Sequence, residues 1–304
     1  MEVYSVLQRI QYPSVVTFGN FDGVHLGHAA LFSVVCDLAR VHSLHRVIIT
    51  FDPHPSCYLE GKDDFLILDK MSKIELLAPY TDSLYFIRFD QSFSKLSPRD
   101  FLALLSSYID IKYLVNAENC RFGNGGSGSI QDVRDYQETF SYKSVVLEVE
   151  SNGGAKYSST LIRNAIKNGD LTGARQFLGR FHSIRGVIEK GRGLAATIGF
   201  PTINISIPDE IIKPKLGVYL AEVVLGPEVH QGIVNIGKRP TTCSSGKVIL
   251  EMHIFDFAAE VYGEIARVYL KSFLREERQF DSLAQLKEQI SRDIGAALSN
   301  NFLS

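Results

Sequence analysis

The chain has 304 residues, 45% hydrophobic and 22% charged, with 32 Lys+Arg against 34 Asp+Glu. Such a length exceeds what one ordinary core organises, so two domains are expected, and the near-neutral balance argues against an electrostatic nucleic-acid binder. No run approaches the ~20 apolar residues that span a bilayer, and the start M-E-V-Y-S-V-L-Q-R-I lacks the basic-then-apolar order of a signal peptide.

Cys36, Cys57, Cys120 and Cys243 stand far apart and form no C-x-x-C pair, which fits a reducing compartment. A cytoplasmic protein with neither membrane nor nucleic-acid contact is therefore expected. Composition leaves the oligomeric state open, a transient homo-oligomer included.

Along the first part of the chain, apolar runs rich in β-branched residues at 15–18, 46–51, 84–89, 112–115 and 144–149 predict strands. Helix-like segments lie between them. The clearest begins at Ser97, with Pro98 in the first helical position and Asp100 three residues after the cap. Alternation of this kind predicts a parallel sheet with helices on both faces, with ligands held at the carboxyl ends of the strands.

After Gly179 the pattern changes to consecutive extended segments, at 184–189, 217–224, 231–236, 248–257 and 266–270. Glycine and proline punctuate them, which predicts a small antiparallel barrel or sandwich. A final helix is expected from about Asp281, with Leu283, Leu286, Ile290 and Ile294 as its apolar stripe. The expected division is 1–178 and 179–304, joined by a short linker near 175–181.

The first strand runs into G-N-F-D-G-V-H-L-G-H at 19–28. If a helix starts near Gly27, the glycines let backbone N–H groups approach an anion at the helix N-terminus. His25 and His28, three apart, then share one face and can donate to phosphate oxygens. The residues alone read equally as a tight turn holding two half-exposed histidines. At 158–163, S-S-T-L-I-R opens another expected helix (161–167), where hydroxyls and Arg163 could grip phosphate or simply cap and decorate a helix.

Farther on, G-R-G-L-A-A-T-I-G-F-P-T-I-N at 191–204 is a glycine-spaced loop entering an extended segment. Thr202 and Asn204 share a face there, and their oxygens suit magnesium, although a polar turn reads the same way. Glu251, in the apolar run V-I-L-E-M-H-I-F-D-F, lies either on a solvated strand face or in a site. Two strings mimic nucleotide motifs. G-I-V-N-I-G-K-R at 232–239 lacks the closing Ser/Thr of a P-loop, and G-N-G-G-S-G at 123–128 reads as a mobile flap over the first site.

Taken in order, these segments resemble the bacterial bifunctional riboflavin kinase/FAD synthetases. The likeness rests on G-N-F-D-G-V-H-L-G-H, T-F-D-P-H-P (50–55), R-F-G (121–123), S-S-T-L-I-R, L-G-R (178–180) and G-F-P-T-I-N (199–204). It implies a Rossmann-like nucleotidyltransferase domain followed by a β-barrel riboflavin kinase domain. The substrates implied are riboflavin, FMN and ATP, with FAD as product and Mg²⁺ as cofactor. A single retained activity, or a flavin sensor without turnover, is the alternative.

By the same resemblance, Gly19, Phe21, Asp22, His25, His28, Ser159, Thr160 and Arg163 hold ATP, with His28 catalytic, and Asn119 and Arg121 contact flavin. In the second domain Gly199, Thr202, Asn204 and Arg275 bind ATP or flavin, Thr202 and Asn204 hold the metal, and Glu251 is the base. N-I-G-K-R-P-T (235–241) matches a further family segment. The chain departs from the pattern at Ala117–Cys120, at Tyr157 and at Ala195-Ala196, where the family usually shows glycine-glutamate-asparagine-phenylalanine, isoleucine and glycine-arginine.

Overall fold

The computed structural model describes residues 1–148, 151–152, 155–191, 193–238 and 247–299. Contacts divide the chain into two units: Met1–Asp63 with Lys70–Ser159, and Asp64–Asp69 with Thr160–Ser304.

In the first unit the elements are β1 (Glu2–Tyr4), β2 (Ile10–Phe18), α1 (Leu26–His42), β3 (His45–Asp52), α2 (Pro55–Glu60) and α3 (Lys70–Leu77). Then come β4 (Ser83–Arg88), α4 (Pro98–Tyr108), β5 (Ile109–Ala117), α5 (Ile130–Asp135), β6 (Lys143–Leu147) and a two-stranded hairpin, β7 (Ser151–Asn152) and β8 (Ala155–Lys156). All five expected strands are present, the last ending at Leu147, and Val149 of that expected run lies outside the described residues.

The main sheet has the order β1-β4-β3-β2-β5-β6, and every pairing is parallel. Both faces are covered, which is why the strand centres are apolar without alternation. On one face, Val16, Phe18, Val47 and Ile49 pack with Phe101, Leu102 and Leu105 of α4. On the other, Val15 and Ile48 are fully buried, as are Phe32 and Val35 of α1, which packs on β2 and β5. α4 starts as its sequence predicts, with Ser97 Oγ accepting the Asp100 N–H at 3.1 Å. The chain leaves β2 toward β3 and later returns to β5 on the opposite side. The crevice between the carboxyl ends of β2 and β5 is thus a switch point, where ligands bind in such sheets.

In the second unit, α6 (Ser159–Asn168, whose first residue is counted in the first unit) and α7 (Leu171–Leu178) precede β9 (Ser183–Val187), α8 (Leu194–Thr197), β10 (Ile203–Ser206), β11 (Gly217–Leu225), β12 (Glu228–Lys238), β13 (Val248–Ile254), β14 (Ile265–Arg275) and α9 (Leu283–Ser299). The strands pair antiparallel in the order β10-β13-β12-β11-β14-β9, and a bridge between Glu189 and Asn204 nearly closes the barrel. Residues 64–69 join this unit through bonds such as Asp64 N–H to the Asp209 carbonyl at 2.8 Å.

Two expectations change here. Residues 175–178 are the end of α7 and not a linker; Asp170 caps that helix, Leu171, Ala174 and Leu178 are buried, and Gly179 ends it at φ 71°. Along α9, Leu283 is 48% exposed, so it does not share the stripe of Ile290 and Ile294, and the buried positions are Gln289, Asp293 and Ala297.

Candidate active sites

β2 ends at Phe18, and the loop beyond it turns through left-handed backbone at Phe21 (φ 45°), Gly23 (φ 81°) and Val24 (φ 40°). Such conformations are costly for residues with a Cβ and persist only where the surroundings enforce them. Here the Phe21 ring is locked edge-on between His28 (5.2 Å) and Phe32 (5.0 Å). A Cβ on Gly19 would stand 2.9 Å from that ring, so glycine is required. Ser159 Oγ, still within the first unit, donates to the Asp22 carbonyl at 2.9 Å, which ties Ser159 to the loop.

His25 caps α1 in a reciprocal box: His28 N–H donates to His25 Nδ1, and His25 N–H donates to His28 Nδ1, each at 3.3 Å. A backbone N–H only donates, so both Nδ1 atoms act as acceptors and the neutral rings carry their proton on Nε2. The two imidazoles stack 3.5 Å apart at 15°. Tyr157 lies nearly parallel to His25 at 6.3 Å, and its Cβ would be 2.9 Å from a Cβ on Gly27. Two Nε2–H donors are thereby set beside the N-terminus of a 17-residue helix. Unpaired amides and a partial positive charge there favour an anion.

Asn119 and Arg121 are exposed on the turn after β5, where Arg121 donates to the Cys120 carbonyl at 3.1 Å. Burial pushes the Cys120 thiol up to about 12, so it is an inert wall residue. The 123–128 loop is closed at its ends, with Phe122 and Gly128 exchanging backbone bonds at 3.2 and 2.8 Å. A row of rings follows the strand ends: Phe18, Phe101, Phe93, Phe89 and Tyr58, with adjacent centroids 4.9–5.9 Å apart.

Two residues of this region carry no sequence motif. Asn116 of β5 is 1% exposed, donates to the Phe18 carbonyl at 3.2 Å, and buries an Oδ1 that lacks a partner among the described residues. The signal for it was a lone amide in an apolar strand. Lys73 of α3 is buried, and its amine donates to the Asn20 carbonyl and to Thr50 Oγ1 (2.7 Å). Nothing local marks it, because a lysine on a short amphipathic helix normally reads as solvated.

Thr160 and Arg163 follow Ser159 on α6 and belong to the second unit. Arg163 Nε donates to the Phe65 carbonyl at 2.9 Å, and its guanidinium lies 3.7 Å over the Phe65 ring.

The barrel assembles its site by register. Asn204 of β10 pairs with Glu251 of β13, which pairs with Asn235 of β12; Asn235 pairs with Val218 of β11, and Val218 with Arg275 of β14. Residues directly opposite share a face. The alternate positions, including Ile203, Ile205, Leu250, Met252, Val234 and Ile236, fill the barrel interior. The polar row therefore lies on the outer face.

Thr202 Oγ1 donates to Glu251 Oε1 at 2.8 Å. A cavity of about 250 Å³ opens over the row, lined among others by Ala195, Phe200, Thr202, Glu251, Arg275 and Leu286. A second cavity of about 230 Å³ is lined by Met252, Ile254, Phe257, Glu260, Tyr262 and again Thr202. Thr202 thus stands at the junction of the two.

Asn204 is 2% exposed beneath the Gly191 backbone, where a Cβ would come within 2.3 Å of its amide. Arg275 is held by Asp293, with Nε donating at 3.0 and 3.1 Å and Nη2 at 2.7 Å. Gln289 donates to the same carboxylate at 2.7 Å. Arg275 is therefore an anchored wall residue and not an extended cation. Gly199 lies at φ 99° on the exposed loop before the strand. Arg192 and residues 239–241 of the two family segments lie outside the described residues.

Against known proteins, the family profile described as FAD synthetase matches residues 7–161, and that described as riboflavin kinase matches residues 178–300. The bifunctional riboflavin kinase/FMN adenylyltransferase of Bacillus subtilis (strain 168) is 33% identical, over 95% of this chain and 93% of its own length. Its namesake in Escherichia coli (strain K12) is also 33% identical, over 96% and 94%. A crystal structure described as a macrolide-efflux protein from Streptococcus pneumoniae superposes with TM-score 0.89 at 28% identity, covering 98% of this chain and 99% of that one. Among the described residues here, no helix is long and apolar enough to cross a membrane.

Proposed function

The chain belongs to the family of bifunctional riboflavin kinase/FMN adenylyltransferases, and from that premise we propose how its sites divide the work. Residues 1–178 form FAD from FMN and ATP, and residues 179–304 form FMN from riboflavin and ATP. The observation that carries this is the presence in one chain of two separate polar constellations: the His25–His28 pair capping α1, and the Thr202–Glu251 pair within the row from Asn204 to Arg275.

In the barrel, riboflavin lies in the 250 Å³ cavity under α9 and the adenosine part of ATP in the apolar 230 Å³ cavity. Their reacting ends meet at Thr202. Glu251 takes the proton of the riboflavin 5′-hydroxyl as that oxygen bonds to the γ-phosphorus, and the bond to the β-phosphate oxygen breaks to release ADP. The oxygen donors Thr202 and Asn204 fit Mg²⁺, which takes few protein ligands and completes its shell with water and phosphate. When bound, the ion neutralises charge on the transferring phosphate.

In the first unit an FMN phosphate oxygen attacks the α-phosphorus of ATP, and pyrophosphate leaves. No proton need move. His25 and His28 act through Nε2–H, donating to phosphate oxygens whose charge rises in the transition state. Ser159 assists in holding the triphosphate, and the less buried rings Phe93, Phe89 and Tyr58 offer apolar surface to the flavin, with Asn119 and Arg121 as its polar contacts. Among the described residues Cys36, Cys57 and Cys120 are thiols in no disulfide, which supports a cytoplasmic setting.

The test is incubation with ATP, Mg²⁺ and either riboflavin or FMN, with flavins separated by chromatography. FMN then FAD are expected from riboflavin, and FAD from FMN. FMN that accumulates without FAD would leave the kinase alone, and no product from either would make this a flavin-binding protein without turnover.

A further inference from the structure

The buried amine of Lys73 has no place in the chemistry above, yet it touches the loop on which that chemistry depends. It donates to the Asn20 carbonyl and to Thr50 Oγ1, and the Thr50 hydroxyl itself donates to the same carbonyl at 3.1 Å. Two donors thus fix one peptide oxygen in the middle of the loop. The Asn20–Phe21 peptide is trans, so its C=O and N–H point in opposite directions. Drawing the carbonyl toward Lys73 turns the Phe21 N–H away from it. Phe21 is 4% exposed, and among the described residues its N–H meets no acceptor. A buried amide without an acceptor is rare in a folded chain and asks for one.

We propose that Lys73 is a positioning residue of the adenylyl-transfer site, pinning the Asn20 carbonyl so that the Phe21 N–H donates to an ATP phosphate oxygen. This rests on the assignment of adenylyl transfer to the first unit. The pull on the carbonyl depends on the ammonium form. Burial lowers the Lys73 pKa to about 8, against the opposing attraction of Asp22 in the loop and Asp52 at the end of β3. Lys70, one turn earlier on α3, is paired with Asp52 at 2.5 Å. As pH rises through about 8, Lys73 loses its charge and its grip on the carbonyl weakens.

The experiment compares wild type and Lys73→Met in the full chain, assaying FMN adenylylation and riboflavin phosphorylation on the same sample from pH 6.5 to 9.5. Losing a single preorganised donor commonly costs 10²–10³-fold, and a tilted one less, so at saturating substrates the variant should lose roughly 10–100-fold in adenylylation kcat. Its kinase kcat should stay within about twofold. Wild-type adenylylation should decline above pH 8 with no matching decline in the kinase. Adenylylation in Lys73→Met within threefold of wild type, or a flat wild-type profile to pH 9.5, overturns the proposal.

If Lys73→Met fails to fold, Thr50→Val removes the other donor to the same carbonyl and should lower adenylylation about threefold or more. An unchanged rate there also overturns the proposal. A wild type that makes no FAD at any pH refutes the adenylyl-transfer assignment itself, which separates the two failures.

Discussion

Thr202 donates its hydroxyl to Oε1 of Glu251 at 2.8 Å, between β13 and the residue that leads into β10. The bond fixes the carboxylate in one rotamer and leaves Oε2 for a substrate hydroxyl. Glu251→Gln keeps the shape and an acceptor for Thr202 but cannot take a proton. General-base removal costs about 10²–10⁴-fold, so riboflavin kinase kcat should fall by that order while FMN adenylylation is unchanged. Full kinase activity in Glu251→Gln removes Glu251 as the base.

His28→Ala tests the other constellation. It deletes an Nε2–H donor and the Nδ1 that accepts the His25 N–H. FMN adenylylation should fall about 10²–10³-fold, as for other lost transition-state donors, with riboflavin phosphorylation spared. Equal loss of both activities would mean that the two sites are not separate.

Much of this was legible in the sequence, for physical reasons that also mark the limits. The strands at 15–18 and 46–51 announce themselves because a sheet buried on both faces needs unbroken β-branched runs. The spacing of His25 and His28 put them on one face at a helix start, but their reciprocal cap appears only in the structure, where His25 stands just outside the helix. β1 could not be read, since Glu2–Tyr4 is a strand only by pairing with Ser83–Tyr85 of β4. α7 was hidden in what looked like a linker, because its stability comes from the Asp170 cap and from burying Leu171, Ala174 and Leu178. Asp293 and Gln289 look like solvated helix residues until Arg275, 18 residues away, reaches the carboxylate. Lys73 likewise acquires its role only from the Asn20 and Thr50 oxygens that the fold brings to it.

Two helical glycines should respond oppositely to alanine. Gly295 in α9 is exposed with nothing within 4 Å of an added Cβ, so Gly295→Ala should stabilise the second unit by about 0.5–1 kcal/mol from helix propensity alone. Gly27 would gain the same propensity, but its Cβ meets Tyr157 Cβ at 2.9 Å and the His25 ring at 3.3 Å. Backbone-anchored neighbours cannot yield cheaply there, so Gly27→Ala should lower FMN adenylylation. Thermal unfolding and the two activity assays together check both signs.

Asp293→Ala leaves the Arg275 guanidinium, only 22% exposed, without its carboxylate. Breaking a buried pair from one side costs about 3–5 kcal/mol, and the residual exposure of Arg275 reduces this to roughly 2–4. Because Arg275 and Asp293 both line the 250 Å³ cavity, the riboflavin KM should rise with the loss of stability. Asp293→Asn, which can still accept a bond, should lose less on both counts. Denaturant unfolding and kinase kinetics distinguish these outcomes from a purely structural loss, in which KM per folded molecule stays constant.

His182 should set the acid limit of the second unit. It is 2% exposed, and among the described residues neither ring nitrogen has a hydrogen-bond partner. Burial, reinforced by nearby Arg180, lowers its pKa from 6.5 to about 4. Below pH 6.5 the unfolded chain takes up a proton that the folded chain refuses until about pH 4. The contribution of His182 to stability is therefore flat above 6.5 and falls across that window, by of order 1.4 kcal/mol per pH unit. His182→Leu removes the titrating group and replaces unbonded nitrogens with apolar atoms, a change that costs little at neutral pH when no hydrogen bond is lost. Denaturation midpoints at pH 7.5 and pH 5 should differ markedly in wild type and less in the variant. Identical acid sensitivity in both proteins would assign the effect to other groups.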